Sequence, residues 1–396
     1  ISLESYQKSF FWPSDTKKIN YSIPGIIMKR TFKILFWNVT RIFFSLFFRL
    51  NKNQIYFSSY NGLKYACNPR SISEKIHELD PNKKIIWSFK NPESINVPSY
   101  ITKVKKNSFA DIKALWTSKF WVMNAGFLVP QKRKNQFFMD TWHGDRAFKN
   151  VDKSADGKTS LADSYKCVDV LLSGSDYNDN VAKRAMKFNG EILHSGSPRN
   201  DIFFADFTLK KEQIRQELGI STFDKILTYA PTFREKDKGM EVLDFSSLID
   251  ALEARDQKKW GVLIRQHHKV KMQTQWNNDK RIIDASSYPE MQDILLISDV
   301  VISDYSSLVG DFILLRRPIF LYVPDLEEYK EGRGLYFDIQ KSPFIFATNT
   351  SDLFQKILDS NEAVAKQNCE DILNFYGNVC ENGTASEQAA NWILNK

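Results

Sequence analysis

Residues 31–50, TFKILFWNVTRIFFSLFFRL, form a near-continuous apolar run that charges interrupt at Lys33, Arg41 and Arg49. Wound at about 100° per residue, Arg30, Lys33, Asn38, Arg41, Ser45 and Arg49 fall within roughly 160° of arc, and Leu35, Phe43, Leu46 and Phe47 fall in the remainder. A central arginine costs about 2.5–3.5 kcal/mol in a spanning helix, whereas on the polar face of an interfacial helix it meets anionic headgroups. The pattern therefore predicts a one-sided helix lying on a membrane surface, with Lys33, Trp37, Arg41, Phe44, Phe48 and Arg49 as its contacts. The competing reading packs the same stripe on the protein's own core, since one-sidedness does not identify what is buried against it.

From residue 53 the pattern changes to short apolar runs alternating with helical ones. Strands are expected over 54–57, 84–89, 120–123, the run before His143, 168–172 and 191–193, with helices over 71–79, near 108–117 and over about 178–188. A polar, helix-like stretch at 208–218 opens a second series. Its strands fall at 226–229, 261–264, 281–283, 300–302 and 318–322, and its helices at 245–255 and about 306–315. Such βαβ alternation implies an α/β protein with two doubly wound, mostly parallel sheets facing a cleft. The expected division is an N-terminal membrane-association segment at 1–52 and Rossmann-like domains at 53–207 and 208–396. Periodicity leaves open whether the helical pattern after 350 returns to the first domain.

At 396 residues the chain exceeds what one core usually supports, and 42% hydrophobic with 26% charged residues are ordinary globular values that exclude a disordered chain. The net charge of +8 suits an anionic partner: a membrane surface, a nucleotide or phosphate substrate, or a nucleic acid. No helix-turn-helix pattern, aromatic RNA-binding signature or Cys/His zinc spacing is present, so no nucleic-acid partner is expected. Cys67, Cys167, Cys369 and Cys380 are too few and too scattered for a disulfide framework, which fits a cytoplasmic setting. No basic region followed by an apolar core and a small-residue cleavage site is visible, so no secretory signal is expected.

Ligands of open α/β sheets bind beyond the carboxyl ends of the strands, and the polar clusters of this chain fall there. Thr141-Trp142-His143-Gly144 follows the apolar run Phe137-Phe138-Met139. Its imidazole can take a proton from an alcohol near neutral pH, and the glycine lets a substrate approach the backbone, which is the layout of a general base. The alternative is a satisfied core or capping histidine. Ser306 and Ser307 stand between a strand and a helix, where hydroxyls and free first-turn amides face a phosphate together; an ordinary serine cap is the alternative. Arg265, His267 and His268 end a neighbouring strand and would neutralise the same anion, while no third ligand has the spacing of a metal site. Arg199 and Arg234 are further candidate clamps, and Asp304 and Asp311 candidate orienting groups. Asp325, Glu327, Glu328 and Arg333 form a charged loop, read equally as ligand contacts or as solvated surface.

These residues appear in a distinctive order. Thr141-Trp142-His143-Gly144 is followed by Gly196-Ser197-Pro198-Arg199-Asn200-Asp201, then Tyr229-Ala230-Pro231-Thr232-Phe233-Arg234 and Ile264-Arg265-Gln266-His267. Ser303-Asp304-Tyr305-Ser306-Ser307 then continues through Asp311, Arg317-Pro318, Asp325-Leu326-Glu327-Glu328-Tyr329 and Gly334-Leu335-Tyr336-Phe337-Asp338. Over roughly 53–340 the set resembles the CDP-glycerol glycerophosphotransferases of teichoic acid synthesis. The resemblance implies a GT-B-like fold and peripheral attachment to the cytoplasmic face of a bacterial membrane. It also implies transfer of glycerol phosphate, or a related polyol phosphate, from a CDP-activated donor to a lipid-linked glycan of the undecaprenyl-diphosphate type. The product would be a teichoic acid or a capsular polymer.

On that reading His143 and His267 are catalytic. Arg199, Arg234, Arg265, Asp304, Ser306, Ser307, Asp311, Glu327 and Arg333 serve the donor, and Trp142, Gly144, Asp145 and Arg146 the acceptor. No cofactor is implied, and divalent metal participation stays open. The chain departs from the family pattern in four places. Asp145-Arg146 replaces a common Thr-Pro pair, His268 a proline and Ser197 a tyrosine, and Gly310 stands where a bulkier residue is frequent. A nucleotide-sugar glycosyltransferase of the same fold and a non-catalytic membrane-surface binding protein remain the alternatives.

Overall fold

The computed structural model describes residues 23–125, 131–151, 162–232, 242–266, 276 and 278–396, with side chains from residue 34 onward. It divides into two compact units, one of Ile1–His143, Val151–Arg199 and Thr384–Lys396, the other of Gly144–Asn150 and Asn200–Gly383. A single cut at 207 would have placed 144–150, 200–207 and the last helix elsewhere.

The first unit is built on seven strands: β1 (Asn51–Ser58), β2 (Lys84–Phe89), β3 (Ile101–Lys105), β4 (Ser118–Met123), β5 (Phe137–Asp140), β6 (Val170–Ser173) and β7 (Glu191–His194). They lie in the order β3-β2-β1-β4-β5-β6-β7, all parallel. Parallel strands covered on both faces carry continuous apolar runs rather than alternation. Accordingly Ile55, Phe57, Trp87, Phe89, Val122, Met139 and Val170 are fully or almost fully buried. Ala389, Ala390 and Ile393 of the helix Ala385–Leu394 join this core, so the end of the chain does return to the first unit. β3 was missed in the sequence. It is an edge strand, ITKVK, with Thr102, Lys103 and Lys105 exposed, and lysines on an edge discourage pairing with another chain.

The second unit has six strands: β8 (Lys225–Tyr229), β9 (Trp260–Ile264), β10 (Ile282–Asp284), β11 (Val300–Ser303), β12 (Ile319–Tyr322) and β13 (Phe346–Ala347). Their order is β10-β9-β8-β11-β12-β13, again all parallel. One face carries Phe245, Leu248, Ile249, Trp276 and Tyr322, the other Ile214, Ile294 and Leu296. The α/β class with two doubly wound parallel sheets is thus the observed one.

The apolar run at the N-terminus lies within one helix, Ile23–Phe47, and among the described residues no helix is long and apolar enough to cross a membrane. Two of its expected membrane contacts face inward instead. Trp37 and Phe44 are buried, with ring centroids 6.1 Å from Trp116 and 6.0 Å from Phe109, and Trp116 Nε1 donates to Thr40 Oγ1 at 3.1 Å. Positions 37, 40 and 44 share one helix face, and that stripe docks on the helix Phe109–Thr117. Phe48 is half-buried beside Phe44, Arg41 is half-buried and Arg49 exposed; the Lys33 side chain lies outside the described residues. The apolar side chains left in water are Leu35, Phe36, Val39, Ile42, Phe43, Leu46 and Phe47, the last two 74% and 70% exposed.

Candidate active site

In the first unit β5 ends at Asp140, and the chain turns at once. Thr141 N–H continues the ladder to Met123 O at 2.7 Å, while Asp140 Oδ1 accepts from Trp142 N–H at 2.7 Å. This short side-chain turn supports Trp142 at φ +51°, a left-handed conformation that non-glycine residues adopt only with local help. His143 follows, half-buried, with its Nδ1 donating to the Asn124 carbonyl at the end of β4. A ring that donates from Nδ1 to a carbonyl carries its lone pair on Nε2. Asn124 is itself fixed, since its Oδ1 accepts from Tyr60 N–H at 2.8 Å and its Nδ2 donates to Ser59 Oγ at 3.1 Å. The Tyr60 ring meets the imidazole edge-on with centroids 5.5 Å apart, and buried Trp142 lies 5.0 Å away on another side. The ends of three strands therefore orient one imidazole.

Asp140, Asn124 and Asn68 were missed in the sequence, where no spacing marks them. Asp140 is fully buried and its Oδ2 has no hydrogen-bond partner among the described residues. Burial pushes its carboxyl up to about 7, against the opposing pull of the Trp142 amide. Asn68, buried at the start of the helix Cys67–Leu79, donates from Nδ2 to Thr141 O at 2.9 Å and Trp142 O at 3.2 Å, and accepts Arg199 N–H on Oδ1 at 3.0 Å. Arg199 is buried in the same unit, and its Nη1 lies 3.7 Å from Cys67 Sγ.

Asp145 and Arg146, expected on the acceptor side, have no such exposure. Both are buried in the second unit, and Arg146 has none of its side chain in water. A buried guanidinium requires carboxylates. Its Nη2 lies 2.5 Å from Glu381 and 3.7 Å from Asp311, its Nη1 lies 3.7 Å from Asp145, and its Nε donates to Gly310 O at 3.0 Å. Burial opposes its charge, but these three carboxylates outweigh that and hold it ionised; burial also pushes Glu381 above the usual carboxylate range. Asp311 further accepts from Asn200 Nδ2 at 2.8 Å and Gln292 Nε2 at 3.1 Å.

At the carboxyl ends of β8 and β11, buried Asp304 accepts from Thr232 N–H at 3.0 and 2.9 Å and from Thr232 Oγ1 at 2.6 Å. Tyr305 donates to Asp325 Oδ1 at 3.0 Å and stacks on Tyr329 with centroids 3.7 Å apart. Ser306 and Ser307 are half-buried beside them, but not all the amides expected to face a phosphate are available. The helix Leu308–Phe312 is too short for them: Val309 N–H bonds Ser306 O at 3.2 Å and Gly310 N–H bonds Ser307 O at 3.0 Å. Arg265 Nη1 donates to the carbonyls of Ala285 and Tyr288 at 2.7 and 2.5 Å, which fixes the guanidinium at the end of β9. Glu327 is exposed, 3.3 Å from Lys330, and lies on the helix Leu326–Gly332 where the sequence suggested a loop; Arg333 is half-buried at the end of that helix. Gly144 is half-buried at the start of the 144–150 segment. Arg234, His267 and His268 lie outside the described residues. Among the described residues no group of three or more His, Cys, Asp or Glu side chains is arranged to hold a metal ion.

Two parallel α/β units with polar clusters at the carboxyl ends of their strands define a GT-B-like protein. The chain belongs to the CDP-Glycerol:Poly(glycerophosphate) glycerophosphotransferase family, which it matches over residues 40–395. It is 31% identical to a teichoic acid poly(glycerol phosphate) polymerase of Bacillus spizizenii, over 89% of this chain and 96% of the relative. It is also 31% identical to the polymerase of that name from Staphylococcus epidermidis, over 86% of this chain but only 50% of the relative, so it spans about half the length of that protein. A structure of the wall teichoic acid polymerase TagF, a variant soaked with CDPG, superposes with a TM-score of 0.79 at 27% identity, covering 95% of this chain and 98% of that one.

Proposed function

We propose that this protein transfers glycerol phosphate from CDP-glycerol to a hydroxyl of a lipid-linked glycan, releasing CMP, in the synthesis of teichoic acid or a related surface polymer. The acceptor oxygen attacks the glycerol-bearing phosphorus, the bond from that phosphorus to the bridging oxygen breaks, and CMP leaves with that oxygen. His143 Nε2 takes the proton of the attacking hydroxyl. The observation that carries this reading is the fixed imidazole, since a ring whose Nδ1 is committed to Asn124 O presents the basic nitrogen that a general base needs. Arg265 and the Ser306-Ser307 turn, with His267, offset charge on the pyrophosphate, in keeping with a phosphoryl transfer that depends on positioning and charge stabilisation. Glycerol is favoured as the polyol because the relatives that match at 31% identity over 86% and 89% of this chain are named for glycerol phosphate.

The exposed apolar side of the helix Ile23–Phe47 would rest on the cytoplasmic face of the membrane, where a lipid-linked acceptor is presented. The experiment is CMP release from CDP-glycerol and, separately, CDP-ribitol, with a lipid-linked acceptor analogue. Release and a phosphate-linked product from CDP-glycerol support the proposal. Release from neither donor, with turnover of a UDP-sugar instead, overturns it.

A further inference from the structure

One buried carboxamide holds two segments of the site that are far apart in sequence. Asn68 directs Nδ2 at the carbonyls of Thr141 and Trp142 and Oδ1 at the Arg199 amide. Two carbonyls on one side and an N–H on the other admit only this orientation of the amide. The Trp142 carbonyl belongs to the same planar peptide as the His143 nitrogen, so holding it fixes the plane from which the imidazole hangs. Asp140 holds the preceding peptide through the Trp142 N–H, and the two side chains grip the turn by opposite groups. Asparagine alone among side chains of this length both donates to carbonyls and accepts from an amide. An ionised aspartate cannot donate, and serine is shorter.

We propose that Asn68 is a positioning residue of the transfer reaction, setting the backbone of the His143 turn and of Arg199 together so that Nε2 meets the acceptor hydroxyl in line. This rests on the reading of His143 as the base. Misplacement of a reacting group by about 1 Å costs on the order of a hundredfold in rate, which sets the expected scale.

The test is a double-mutant cycle on the whole protein. Asn68→Asp and Asn68→Ser are made in the wild type and in His143→Ala, and kcat and KM for CDP-glycerol are measured by CMP release, with long incubations for the His143→Ala background. Expected in the wild type is a loss in kcat of about 100-fold for Asn68→Asp and about 10-fold for Asn68→Ser, with KM within about threefold. In the His143→Ala background neither substitution lowers the residual rate further, because Asn68 acts through a group already gone. Equal losses in both backgrounds, or a change confined to KM, overturn the proposal by reducing Asn68 to a support of the fold. Should Asn68→Asp not fold, the neutral Asn68→Ser decides the matter alone. Full activity of His143→Ala by itself sinks the base and the proposal together, whereas equal losses beside an impaired His143→Ala sink only the role of Asn68.

Discussion

Arg146 occupies the space that a side chain at position 310 would need. A Cβ on Gly310 would lie 2.6 Å from Arg146 Cβ and 3.1 Å from its Nε, and that Nε donates to Gly310 O at 3.0 Å. Two positions that stood out in the sequence, 146 and 310, thus form one packed arrangement. Arginine is accommodated where glycine makes room, and Glu381, Asp311 and Asp145 supply the counter-charge.

Gly310→Ala should therefore destabilise the second unit by about 1–3 kcal/mol through overpacking. Arg146→Gly should cost about 3–5 kcal/mol, because it strands three buried carboxylates. In the Arg146→Gly background, which also lacks the Cβ lying 2.6 Å away, the cost of Gly310→Ala should largely vanish. Urea unfolding of the two single variants and the double variant measures the coupling, and additive costs would show that the clash is relieved elsewhere.

The raised carboxyl of Asp140 makes stability depend on pH. Folded, it binds its proton up to about 7, whereas unfolded it loses it near 4, so the folded state holds more protons between those values. Its contribution thus falls as pH rises through that window and is flat above it. Asp140→Asn keeps an acceptor for Trp142 N–H and removes the cost of a buried charge. The variant should be more stable than the wild type at pH 8, by up to about 4 kcal/mol, with the difference gone near pH 4. Melting temperatures across that range check both the sign and the window.

The two sides of the helix Ile23–Phe47 should respond differently to substitution. Phe44→Ala removes a buried ring and should cost about 3–5 kcal/mol of stability. Leu46→Asp and Phe47→Asp alter exposed positions and should leave melting within a degree or two while weakening binding to anionic phospholipid vesicles, read by co-sedimentation. Vesicle binding that survives both exposed substitutions would place the membrane contact elsewhere.

Strand-by-strand, the sheets were legible because parallel strands buried on both faces are written as apolar runs: 84–89 and 300–302 match β2 and β11 closely. The exposed, lysine-bearing β3 and the two-residue β13 carry no such run. His143 was visible because an imidazole beside glycine at a strand end is unusual in itself. Asn68, Asn124 and Asp140 were not, since each is a small polar residue whose meaning comes only from a partner distant in sequence or from a backbone turn. Arg146 misled for a related reason. A charge in a loop next to a proposed base reads as a substrate contact, and only the three-dimensional position of Glu381 and Gly310 reveals it as interior.

The central claim is that His143, held through Nδ1 by the Asn124 carbonyl, presents Nε2 to the acceptor hydroxyl. Its most direct test is the rate of CMP release from CDP-glycerol by His143→Ala, beside the wild type, with a lipid-linked acceptor present. Loss of general-base help predicts a fall in kcat of about 10²–10⁴-fold with an unchanged melting temperature. A wild-type rate in a folded His143→Ala protein would contradict the account.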